Sequence, residues 1–107
     1  MSPHVFHILL SLADRPRHGY GILLDVEART DGALVLGTGT IYSAIKRLRQ
    51  LGWIEEVEAP SRSEDDPRRR HYRLTRLGRR ELREEAERLQ SMVHQARSRA
   101  MLPGTSG

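Results

Sequence analysis

The sequence has no cysteine, which excludes disulfides, thiolate metal sites and a cysteine nucleophile together. Aromatic residues make up only 5% of it and apolar residues 37%. The core is therefore expected to be modest, with part of the apolar surface covered by a partner. No apolar run approaches the ~18 residues of a membrane span and no signal peptide is visible, so the chain is read as cytoplasmic. Metal ligands are sparse. His4 and His7 share a helix face, but no carboxylate or third histidine completes a set, and His18, His71 and His94 stand apart. Surface or interface positions are expected for them, and no metal. Neither Ser43 nor Ser91 sits in a nucleophile elbow or beside a base, so no enzyme and no cofactor is expected.

Charge is what the chain does have. It carries 18 basic against 14 acidic residues, a formal net charge of +4 over 107 residues. That length suits one domain with a single core and one extended element. The basic balance favours nucleic acid or an anionic surface as partner.

The stretch from Gly37 to Gly52 organises the rest. Ile41, Ala44, Ile45, Leu48 and Leu51 recur at spacings of three and four and line one face of a helix. The opposite face carries Tyr42, Ser43, Lys46, Arg47 and Gln50, with Arg49 at its border and no acid anywhere. Thr38 or Thr40 offers a hydroxyl to cap the start, and Gly52 suits a left-handed stop. A short helix with an apolar back and an acid-free basic and amide front suits the major groove, its N-terminal end facing phosphate. Gly37-Thr38-Gly39 is not a nucleotide loop, because the following glycine and lysine are missing. Close approach of the backbone to a DNA phosphate is the better use of these glycines.

Ahead of this stretch, Ser2-Pro3 reads as a cap and first helical position, and Val5, Ile8, Leu9 and Leu12 carry helical spacing to about Ala13. Asp14 to Arg17 breaks that helix. A second runs from about His18 to Arg29, with Tyr20, Ile22, Leu23, Leu24 and Val26 available for the core, until Asp31-Gly32 stops it. Ala33 to Leu36 is short, apolar and extended. After Gly52, Trp53 to Glu58 alternates as a strand with Trp53, Glu55 and Val57 on one face, and Arg70, Tyr72 and Leu74 form a second alternating set. Between them Ala59 to Arg69 is a long hairpin loop. Its consecutive acids Glu64, Asp65 and Asp66 would repel phosphate, so Arg69 and Arg70, nearest the sheet, are the DNA candidates. Three helices followed by a hairpin is the order of a winged helix-turn-helix, a mainly α fold with a small β-hairpin.

The last element is expected from about Arg76 to Ala100, capped by Thr75. Leu82, Ala86, Leu89, Val93, Ala96 and Ala100 are spaced four, three, four, three and four apart, the seam of a coiled coil. The stripe is narrow and its flanks are rich in Arg, Glu and Gln, whereas a core helix usually has a broader one. A partner helix is therefore expected along it. The domains follow as a DNA-binding unit over residues 1–75, a dimerisation helix over 76–101 and a flexible tail over 102–107.

Three blocks resemble the PadR family of transcriptional regulators: His18-Gly19-Tyr20; Gly39-Thr40-Ile41-Tyr42 with Leu48 and Gly52-Trp53-Ile54; and Arg69 to Thr75 with Gly78. They occur in the family's order and spacing. Where the family usually has an acid after the first triplet, this chain has Gly21; where it often has proline after the second tyrosine, Ser43; where tyrosine is common, His71. The resemblance implies a winged-helix domain with a C-terminal dimerisation helix, usually a repressor, of the family's shorter branch. It also implies that a small aromatic or drug-like effector is conceivable, although the aromatic that such pockets often place on the final helix is missing here.

The chain is accordingly read as a homodimeric, sequence-specific repressor of double-stranded DNA. Tyr42, Ser43, Lys46, Arg47 and Gln50 would lie in or beside the major groove. Thr38 and Thr40 would meet phosphate, and Arg69 and Arg70 the flanking backbone or minor groove. The rival from another class is a winged-helix protein-interaction module whose basic helix binds an acidic partner.

Overall fold

In the computed structural model, which describes residues 1–59 and 69–104, four helices surround a small antiparallel sheet. The elements run α1 (Pro3–Ser11), β1 (Arg17–His18), α2 (Gly19–Arg29), α3 (Thr38–Gln50), β2 (Ile54–Val57), β3 (His71–Leu74) and α4 (Arg76–Ser98). The sheet order is β1-β3-β2. β2 opposes β3 with Ile54 against Leu74 and Val57 against His71, and β1 pairs Arg17 with Tyr72 and His18 with His71. This is an α+β winged helix-turn-helix with a third strand. β1 is two residues long, too short to show an alternation, and it forms only because β3 offers a free edge. The acidic hairpin tip Glu64-Asp65-Asp66 lies outside the described residues.

The expected starts and stops hold where local chemistry decides them. Ser2 Oγ accepts from the Val5 N–H at 3.2 Å, with Pro3 in the first turn. Thr75 Oγ1 accepts from the Gly78 N–H at 3.0 Å. Gly52 is left-handed at φ 76°, and the bonds Gly52 N–H to Arg49 O and Trp53 N–H to Leu48 O, both 3.0 Å, close the end of α3. Two expectations change. Neither Thr38 nor Thr40 caps α3: Gly37 holds the cap position without a side-chain bond, so both threonines lie inside the first turn. The final helix stops at Ser98, because Ala100 adopts φ 62° and so leaves the seam's register. Beyond it Arg97 Nε donates to the Pro103 carbonyl at 3.1 Å.

The core gathers Ile8, Leu9 and Leu12 from α1, Ile22 and Val26 from α2, and Ile41, Ile45 and Leu48 from α3. Leu36, Ile54, Tyr72, Leu74 and Leu82 complete it. Helix periodicity identified most of these. Tyr20 and Leu24 correct it, being 46% exposed each, and so does Leu51, because no element covers those flanks of α2 and α3. On β2 the buried residue is Ile54, with Trp53 and Val57 only half-buried. Leu82 belongs to the chain's own core at 6% exposure, so α4 packs on the body through Glu85 and projects beyond it. The molecule is correspondingly long, 50 × 28 × 27 Å.

A polar cluster ties α1, α2 and β1 together. Arg29 donates to Asp25 Oδ2 at 2.7 Å, to Ser11 Oγ at 2.7 Å and to the His7 carbonyl at 2.8 Å, while Arg17 Nε donates to the Ser11 carbonyl at 2.8 Å. Burial pushes the Asp25 carboxyl up, but the bonds from Arg29 and Ser11 and the charges of Arg17 and Arg29 together hold it below its ordinary value of 3.8. Burial first, then the charges of Arg29 and His4, push His7 below its ordinary 6.5. Both lowered values mean that the unfolded chain takes up protons first, so stability falls as pH falls. Loss is expected to begin below about pH 6.5 through His7 and to steepen below about pH 3.8 through Asp25. Asp25→Asn is expected to lower the neutral-pH melting temperature and flatten the acid limb in thermal melts across pH. A variant as acid-sensitive as the wild type would show that Asp25 does not carry the effect.

Candidate nucleic-acid interface

α3 rests on α2 through Ile41, Ile45 and Leu48 and leaves Tyr42, Ser43, Lys46, Arg47 and Gln50 exposed together, as the spacing predicts. Among the described residues neither Lys46 nor Arg47 forms an ion pair, so both charges face solvent. Gly37 to Thr40 are exposed at the helix start, and a Cβ at Gly37 or Gly39 would meet nothing within 4 Å. Thr38 and Thr40 therefore present their hydroxyls at an open end, where uncapped backbone N–H groups also point outward.

The wing adds cations on the same side, held in different ways. Arg70 Nε lies 3.6 Å from Glu56, and Arg49 approaches the other oxygen of that carboxylate at 3.6 Å, so one acid is shared by two exposed arginines. Arg69 has its guanidinium 5.3 Å from the Tyr20 ring centroid and its Nη1 3.4 Å from His18 Nε2. Two openings separate these groups. One, of about 180 Å³, lies between the starts of α2 and α3 and the base of the wing, lined by Gly19, Tyr20, Leu23, Thr38, Ile41, Tyr42 and Arg69. The other, a shallower groove of about 430 Å³, runs between α3 and the sheet past Tyr42, Lys46, Arg49, Gln50 and Tyr72. Burial and the Glu56 carboxylate push the Tyr72 hydroxyl up, keeping it neutral there.

Tyr20, which helix periodicity assigned to the core, stands instead at this surface. His18 and His71 were also expected at the surface or an interface, yet both are buried, at 7% and 3% exposure. Strand pairing sets them side by side, ring centroids 5.2 Å apart and edge to face. His18 Nδ1 accepts from the Gly21 N–H at 2.9 Å and so caps α2. A Cβ at Gly19 would lie 3.1 Å from the Tyr42 ring, so any larger residue there would press on that ring. Among the described residues no group of histidines and acids is placed to hold a metal, and no helix is long and apolar enough to cross a membrane.

The model of the transcriptional regulator PadR-like family matches residues 8–84, which include all three blocks. The chain belongs to the PadR-like family of transcriptional regulators. Its members regulate transcription and are not enzymes. A transcriptional regulator from Clostridium thermocellum superposes with a TM-score of 0.71 at 26% identity, over 92% of this chain and 96% of that one. A PadR family regulator from Clostridium difficile superposes at 0.68 with 24% identity, over 87% and 95%. Bacillus subtilis PadR, solved in complex with operator DNA, superposes at 0.66 with 21% identity, over 79% of this chain and 47% of that one. No curated protein matches the chain.

Proposed function

We propose that the chain is a cytoplasmic, sequence-specific repressor that binds a palindromic operator in double-stranded DNA as a homodimer. The observation that carries it is the exposed, acid-free face of α3, on which Lys46 and Arg47 have no ion-pair partner among the described residues. Tyr42, Ser43, Lys46, Arg47 and Gln50 would read or border the major groove. Thr38 and Thr40 would meet phosphate, and Arg69 and Arg70 the flanking backbone or minor groove. Operator occupancy would block transcription, and any contact that changes the distance between two α3 helices would release it. B. subtilis PadR in complex with its operator supports the DNA assignment by likeness of fold. An effector forms no part of the proposal, since no Phe, Tyr or Trp lies on α4.

The partner surface of the homodimer would be the seam that α4 carries away from the body. Past Glu85, Ala86 and Val93 are exposed and Leu89 and Ala96 half-buried, with Met92 beside them at 52% exposure. The functional units would then be residues 1–75 for DNA and 76–101 for dimerisation, with α4 rooted in the core through Gly78 and Leu82. The tail expected over residues 102–107 lies partly, at 105–107, outside the described residues.

Selection of bound sequences from random duplexes supplies the probe. Lys46→Ala is expected to cost about 1–3 kcal/mol and relax the sequence preference if it reads a base. A phosphate contact alone would instead weaken binding on all sequences and reduce the salt slope by about one unit. Full-strength gel shifts from the Lys46→Ala, Arg47→Ala double variant would remove α3 from the interface. Equal affinity for the selected site and a scrambled one, at fixed salt, would refute sequence-specific recognition.

A further inference from the structure

Tyr20 is a large aromatic left 46% exposed at the rim of the cleft between α2, α3 and the wing. Its ring lies parallel to that of His18, at an interplanar angle of 6° and a centroid distance of 6.5 Å. The Arg69 guanidinium stands 5.3 Å from its centroid and lines the same cleft. Among the described residues Arg69 has no carboxylate partner, unlike Arg70 and Arg73, which pair with Glu56 and Glu55. Among the described residues the cation is thus held by the Tyr20 ring face and by His18 Nε2, 3.4 Å from its Nη1, and not by an acid, so its charge is oriented without being neutralised. Thr38 and Tyr42, on α3, form the facing wall.

We propose that this cleft seats one backbone phosphate of bound DNA, and that Tyr20 is the positioning residue that holds Arg69 toward it. The inference rests on the DNA reading above and adds a site to it. An arginine free in solvent must give up side-chain freedom when it meets a phosphate. One already stacked on an aromatic ring has surrendered much of that freedom beforehand. A carboxylate partner would orient it too, but would have to be displaced by the phosphate. The cleft is open on the side of the acid-free face of α3, where a DNA strand leaving the major groove toward the wing would pass. A phosphate contact of this kind carries no sequence information, so it is to be seen on any duplex.

The test measures affinity of the full chain for a labelled duplex of arbitrary sequence over a series of salt concentrations. Arg69→Gln is expected to weaken binding and to reduce the salt slope by about one unit. Tyr20→Leu retains every charge yet is expected to weaken binding about two- to fivefold, the size of a surface cation–π contact. Tyr20→Phe keeps the ring and should stay within about twofold of the wild type by the same token. In the Arg69→Gln background, Tyr20→Leu should cost nothing more, because the two residues act as one unit. Thermal melts establish that each variant is folded, which the exposure of Tyr20 favours. Wild-type binding with Tyr20→Leu at full strength, additive losses in the double variant, or Tyr20→Phe as weak as Tyr20→Leu would each overturn the seat alone. A wild type without salt-dependent DNA binding would overturn the DNA reading and the seat with it.

Discussion

Leu89→Glu is expected to sediment as a monomer and to lose operator affinity by about a hundredfold or more, an effect of tethering alone. Leu89 lies four residues past Glu85, the last buried residue of α4, and is half-buried. Together with Val93 it supplies most of the apolar area of the projecting seam, about 1.5–3 kcal/mol for each side chain when fully buried. In the proposed homodimer a two-fold axis would present the seam twice, so one substitution would remove two contacts. It also sets two carboxylates in an apolar interface, which costs more than the lost area. The chain's own core ends at Leu82, so the winged-helix body should remain folded. A monomer holds one half-site and forfeits the gain from tethering two recognition helices about one DNA turn apart. Velocity sedimentation and operator titration test both halves of the expectation. A wild type that is itself monomeric at micromolar concentration would refute the two-half-site mechanism.

Gly78→Ala is expected to destabilise the fold by about 3 kcal/mol or more, beyond the usual cost of overpacking because the obstacle is backbone. A Cβ at this position would overlap the Trp53 carbonyl oxygen and lie 2.7 Å from its carbonyl carbon. The Trp53 peptide cannot step aside. Its oxygen accepts from the Thr75 N–H and its N–H closes the end of α3 on Leu48, each at 3.0 Å. Thr75 Oγ1 is meanwhile bonded to the Gly52 carbonyl. A methyl group therefore breaks the joint between α3, β2 and α4 at once. For a domain of this size the melting temperature should fall by roughly 12–25 °C. Gly39→Ala, whose Cβ would meet nothing within 4 Å, is the control and should melt near the wild type. Equal melting of the two variants would show that α4 is not locked against Trp53.

The helices were legible because each carries its own start, stop and stripe. Ser2, Thr75 and Gly52 act within a turn of their own position, so a sequence window contains both partners. The exposed face of α3 was legible for the same reason: Ile41, Ile45 and Leu48 go inward and the intervening residues must then point out. What could not be read depended on distant partners. β1 exists because Arg17 and His18 find Tyr72 and His71, and His18 and His71 are buried only by that pairing. Tyr20 and Leu24 have the spacing of a buried stripe, but periodicity does not say how wide a stripe the rest of the molecule will cover. On β2 a period of two groups Trp53, Glu55 and Val57 on one face but does not say which face is inside, and the residue that packs fully is Ile54.

Sequence alone determined the helical elements, the acid-free face of α3 and the membership that three short blocks announced. These follow from periodicity and caps, which are local. Tertiary structure decided that Tyr20 stands at the surface under Arg69, that Glu56 is shared by Arg49 and Arg70, and that Gly78 must have no side chain. Each of these joins residues from elements far apart in the chain. Such contacts depend on how the elements pack, and spacing within one element carries no record of it.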